Sequence, residues 1–180
     1  MTGRPMALDP AIATVDYDPR WPTIFEVEKQ RLHDALGDVA VRIEHIGSTA
    51  VPGLAAKPII DIDVYVRALE PMALYREPLE ALGYIFQFDP ETLGLHFFGY
   101  PAERPRRFHV HVAEVGGRYM VADLAVRDFL RTHPDVAEEY ARLKRALTAR
   151  HPGDRDAYIA GKAPFMTALQ ARALHWAKHK

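Results

Sequence analysis

The chain has 180 residues, no cysteine, and a formal net charge of −1 with its histidines neutral. That length is read as a single domain over residues 1–180, and 48% hydrophobic with 26% charged residues is the balance of a soluble globular protein. The missing cysteines exclude a disulfide scaffold and a thiolate metal centre, and the near-neutral charge argues against a nucleic-acid partner.

Residues 1–20 are expected to be irregular, with Pro5, Pro10 and Pro19 as breakers. They lack the apolar core of a signal peptide, and no stretch reaches the ~18 apolar residues of a membrane span. The expected location is the cytoplasm. From Trp21 to Leu36 the apolar positions Ile24, Phe25, Val27, Leu32 and Leu36 form a helical stripe, stopped by Gly37. "VAVRIEHIG" alternates like a half-buried strand, and "GSTAVPGLAAKP" is a turn followed by a short helical or irregular piece. "IIDIDVYV" is β-branched and predicts a strand. "EPMALYREPLEALG" predicts a helix that Pro78 either kinks or shortens. Three strands follow in "YIFQF", "LHFFGY" and "RRFHVHVAEV". The remainder, "VADLAVRDFLRTHP", "DVAEEYARLKRALTARH" and the segment from Gly153 to Lys180, has helical periodicity throughout. The predicted class is α+β, a mixed sheet with C-terminal helices packed on it.

Asp61 and Asp63 stand out within this pattern. Successive strand side chains point to opposite faces, so the two acids share one face while Ile60, Ile62 and Val64 share the other. Neighbouring carboxylates repel and resist burial. A divalent cation would remove the conflict, and magnesium takes one or two carboxylates together with substrate phosphates. A wet strand face would also solvate both acids. Fourteen residues before Asp61, Gly47 and Ser48 end a strand in a turn where backbone can approach a phosphate. A cap with no ligand is the alternative for that pair alone. No P-loop pattern occurs anywhere in the chain.

These residues carry a resemblance. The Gly-Ser turn followed by Asp-apolar-Asp resembles the nucleotidyltransferase superfamily of the DNA polymerase β type. More narrowly, "VDYDPRWP", "IEHIGSTAVPGLAAKPIIDIDVYV", "FHVHV", "DFLRTHPDVAEEYARLK" and "YIAGKAPFM" resemble the GrpB family over nearly the whole chain. The resemblance implies a sheet of nucleotidyltransferase type. It also implies that Gly47 and Ser48 hold phosphate and that Asp61 and Asp63 bind metal. A third carboxylate usually completes such sites from a later strand. Here "RRFHVHVAEV" offers His109 and His111 instead, with Glu114 on the opposite face. An imidazole serves as base or metal ligand, so His109 and His111 are candidate catalytic residues and His111 joins Asp61 and Asp63 as a candidate ligand. Magnesium is the expected cation, with manganese or zinc as alternatives. His45, two residues before Gly47, and the cations Lys57 and Lys162 are candidate nucleotide contacts. His96, Arg106, Arg107, Arg127 and Lys144 are weaker candidates, and the stripes of Leu124, Val126, Phe129 and Leu130 and of Tyr140, Leu143 and Leu147 are core.

The expected activity is transfer of a nucleoside monophosphate from a nucleoside triphosphate, ATP first among them, to a small-molecule acceptor. The alternatives are a non-catalytic nucleotide- or metal-binding module and a metal-dependent phosphohydrolase.

Overall fold

The computed structural model describes residues 14–88, 94–103 and 105–180. Most of the expected irregular segment 1–20, including Pro5 and Pro10, lies outside the described residues. The order of elements is α1 (Trp21–Leu36), β1 (Arg42–Ile46), β2 (Ile60–Val66), α2 (Ala73–Ala81), β3 (Ile85–Phe88), β4 (Leu95–Tyr100), β5 (Phe108–Glu114), α3 (Arg118–Thr132), α4 (Pro134–Arg150) and α5 (Arg155–Lys178). The five strands form one sheet in the order β1-β2-β5-β4-β3. β2 and β5 run parallel at its centre, and every other pairing is antiparallel.

Each face of the sheet has its own cover. Ile60, Ile62 and Val64 of β2 join Val110 and Val112 of β5, Ile43 and Phe98 in a core closed by Trp21, Phe25 and Leu32 of α1 and Tyr75 and Leu79 of α2. These aliphatic strand side chains are almost entirely out of water, which is the main stabilising term for a sheet packed on helices. On the other face, Tyr65, Leu95 and Ala113 pack against Met120, with Tyr119 and Leu124 at the margin. A second cluster joins Val51, Leu54 and Ala55, between β1 and β2, to Phe129 and Leu130 of α3, Tyr140 of α4 and Leu169 of α5. The three C-terminal helices therefore close over the same face that carries the two aspartates.

Two local differences from the periodicity have physical causes. Helix α2 runs through Pro78 instead of stopping there, and it begins at Ala73, past Pro71. Helix α3 starts at Arg118, three residues earlier than the apolar stripe indicates, immediately after the Gly116-Gly117 turn. No helix among the described residues is long and apolar enough to cross a membrane.

Candidate functional site

Parallel register sets Asp61 beside His109 and Asp63 beside His111. All four side chains lie on the face covered by the C-terminal helices. His109 Nδ1 donates to Asp61 Oδ1 at 3.0 Å, and His111 Nδ1 donates to Asp63 Oδ1 at 3.2 Å. An ionised carboxylate only accepts, so each imidazole carries its proton on Nδ1 and presents Nε2 elsewhere. The Tyr65 hydroxyl donates to Asp63 Oδ2 at 2.6 Å, so both oxygens of this fully buried residue are engaged. Asp61 is the more open of the two, its side chain 29% exposed.

The charges follow from these contacts. Burial works against ionisation of Asp61, but the hydrogen bond from His109 and the positive charges of His109, His111 and Lys162 outweigh it and hold the carboxyl below its ordinary value. Burial likewise opposes protonation of His111, and the hydrogen bond and charge of Asp63 overcome it, so its pKa is raised. The repulsion between paired acids is thus met by paired imidazoles on the next strand.

Two cavities meet at Asp61. One, of about 240 Å³, is lined by Gly47, Ser48, Asp61, His111, Tyr119, Asp123 and Lys162, among others. Its neighbour, of about 220 Å³, is lined by Ser48, Lys57, Asp61, His109, Lys144 and Lys162, with the rings of Tyr140 and Tyr158. Ser48, Asp61, Tyr140 and Lys162 line both, so the two are lobes of one cleft. Lys57 Nζ lies 4.5 Å from the centre of the Tyr158 ring, which braces it at the rim. Lys144 is buried on α4 and donates to Ser48 Oγ at 2.8 Å and to the Ala55 carbonyl. Burial, reinforced by Lys162, pushes its amine down to about 7.

Gly47 fits the turn for a local reason. Its φ of +70° lies in the left-handed region, and a Cβ there would fall 2.6 Å from Asp61 Oδ2. Gly47→Val should therefore destabilise the fold and displace Asp61 together, by about 2–4 kcal/mol as overpacking adds to backbone strain. Thermal unfolding measures this, and an unchanged melting temperature would show that the turn does not need glycine.

Several expected residues are either not brought to this cleft or are held within it by other partners. His45 points to the opposite face of β1, stacks on Phe25 and bonds Thr49 at 2.9 Å. Burial pushes its pKa down to about 4, so it is a neutral core residue. His96 is buried on that same face beside Tyr75 and Phe86. Arg106 is buried against Gly99 and donates to the Pro101 carbonyl, and Arg107 lies over the Phe108 ring. Arg127 lines the first lobe but is held by Glu44 and Asp128. The expected cation ligands Asp61, Asp63 and His111 are not assembled in this arrangement. Asp63 is saturated beneath the cleft floor, and no three His, Asp or Glu side chains among the described residues are placed to hold a metal together.

Sequence reasoning passed over Asp123. It lines the first lobe from α3, where Tyr119, one turn earlier, donates to it. Burial, followed by the charge of Asp63, raises its carboxyl to about 7. The available signal was the spacing of Tyr119, Asp123 and Arg127 at successive turns of one helix.

Known proteins fix the relationship. The pattern of the GrpB protein family matches residues 11–172. The chain belongs to the GrpB family. It is 41% identical over 176 residues to the UPF0157 protein PA4798 of Pseudomonas aeruginosa, covering 95% of this chain and 71% of that protein. It is 38% identical over 162 residues to the UPF0157 protein YqkA of Bacillus subtilis, covering 90% of this chain and 47% of that one. A dephospho-CoA kinase of Mycolicibacterium paratuberculosis is 33% identical over 190 residues, 92% of this chain and 47% of the kinase. The chain thus spans less than half the length of some relatives. The crystal structure of the conserved protein GrpB from Enterococcus faecalis superposes with a TM-score of 0.85 at 34% identity, covering 91% of this chain and 98% of that one.

Proposed function

We propose that this GrpB chain binds a nucleoside triphosphate, ATP being the first candidate, and transfers its nucleoside monophosphate to a small-molecule acceptor. The observation that carries this reading is the convergence of Lys57, Lys144 and Lys162 on the Gly47-Ser48 turn beside Asp61. The Lys57 and Lys162 cations, with the buried Lys144 amine beside them, suit a polyphosphate, and the partly exposed Asp61 with Asp123 in the adjoining lobe suits a hydroxyl or amine acceptor. The resemblance to nucleotidyltransferases supports the same reading, as does the name of the mycobacterial relative, a kinase acting on a coenzyme precursor. Nucleotide binding without transfer is the second reading, favoured by the saturation of Asp63.

The test is equilibrium binding of the four ribonucleoside triphosphates, with magnesium, manganese, zinc or no cation, to the parent and to Lys57→Met and Lys162→Met. Each variant should bind about tenfold more weakly, the loss of one charge-assisted contact of about 1.4 kcal/mol. Pyrophosphate release on adding metabolite mixtures then separates transfer from simple binding. Equal affinity in all three proteins, or none in the parent, would sink the proposal.

A further inference from the structure

Lys144 is more deeply placed than a phosphate contact requires. It is 3% exposed, and its described hydrogen bonds go to neutral oxygens, the Ser48 hydroxyl and the Ala55 carbonyl. Its amine lies 4.3 Å from the centre of the Tyr140 ring, and the Tyr140 hydroxyl shares a hydrogen bond with the Ser48 side chain. Serine, lysine and tyrosine thus form a closed triangle whose serine faces both lobes of the cleft. A serine hydroxyl is a weak nucleophile until a neighbouring base takes its proton, and a buried lysine is a base when its environment favours the neutral amine.

We propose that Ser48 is a nucleophile toward a phosphoanhydride bound in the lysine-lined lobe, with Lys144 accepting its proton. This rests on the triphosphate reading above. The Ser48 Oγ–phosphorus bond forms as the bond from the α-phosphorus to the pyrophosphate oxygen breaks. The hydroxyl proton passes to the neutral Lys144 amine, and pyrophosphate leaves against Lys57 and Lys162. The acceptor oxygen or nitrogen then displaces Ser48 Oγ, which regains its proton from the Lys144 ammonium while the acceptor's proton leaves to water. Burial has already lowered the Lys144 amine to about 7, so a substantial neutral fraction exists near neutral pH. Lys162, Asp61 and Arg145 are the charged groups that act on it. A purely structural Lys144 would only tie the turn at Ser48 and the Ala55 carbonyl to α4.

A small alkyl fluorophosphonate separates the two roles, because it offers an electrophilic phosphorus without a nucleotide. Intact mass and peptide mapping should show one adduct, on Ser48, and none in Ser48→Ala. Lys144→Arg keeps the positive charge and the donors but cannot take a proton near neutral pH, so labelling should slow by about a hundredfold or more. Lys144→Met gives a second variant if the arginine does not fit, and thermal unfolding verifies that each is folded. Labelling of folded Lys144→Arg or Lys144→Met at the parent rate overturns the proposal, as does an adduct elsewhere or none on the parent. A parent that binds triphosphate while Ser48 resists the reagent overturns this step alone. Labelling of Ser48 in a protein that binds no triphosphate supports the nucleophile and removes the nucleotide reading.

Discussion

Asp63→Ala should destabilise the protein by about 3–5 kcal/mol, the cost of breaking a buried charged pair from one side. The carboxylate is fully out of water and accepts from His111 Nδ1 and the Tyr65 hydroxyl. Its removal leaves a cleft-lining imidazole, its side chain 17% exposed, without its counter-charge and a buried hydroxyl without an acceptor. Asp63→Asn keeps one acceptor and turns an amide toward a donor, so a smaller loss of about 1–3 kcal/mol follows. From strand alternation alone, two acids on one face repel, and neutralising one of them would relieve the strand. The structure reverses the sign for Asp63, because the imidazole on β5 already supplies the attraction.

The pH dependence of that loss is set by His111. Its pKa is raised in the folded state, so the pair contributes its stability fully below the ordinary imidazole value near 6.5. That contribution fades as the pH climbs through the higher folded value. The difference between parent and Asp63→Asn should accordingly be largest below about pH 6 and smaller by pH 9. Urea unfolding across this range measures it. A variant as stable as the parent at pH 6 would mean that the His111 pair contributes nothing.

Asp123→Asn should act in the opposite direction, raising stability by about 2 kcal/mol at pH 8 after the partial exposure of the site is discounted. The folded-state pKa is raised from 3.8 to about 7, mainly by burial and then by the charge of Asp63. The folded protein therefore holds a proton that the unfolded chain has released between those two values. Parent stability falls as the pH rises from about 4 to about 7 and stays at that lower level above it. Asparagine is neutral throughout and can still accept from Tyr119, so its advantage should disappear below about pH 4. A variant less stable than the parent at pH 8 would show that the carboxylate is stabilised by contacts stronger than its burial. A residue that weakens the fold while facing a cleft is the pattern expected where function is retained at the expense of stability.

The sequence by itself determined the face sharing within each strand. Asp61 with Asp63, and His109 with His111, follow from a side-chain period of two, and the aliphatic residues between them define the face against α1 and α2. It also determined helices α1 to α4, whose apolar stripes at 3.6-residue spacing hold regardless of their partners. Alternation says nothing about which strand lies next to which. Only the tertiary structure set β5 parallel to β2 in a register that pairs each aspartate with a histidine, and only it turned His45 toward Phe25 rather than toward the Gly47 turn. Asp123 and Lys144 reach the cleft from helices that follow β2 by more than fifty residues, and the packing that carries them there depends on side chains distant in sequence. Local periodicity is a property of one segment, whereas a site assembled from β2, β5, α3, α4 and α5 exists only once those segments have docked.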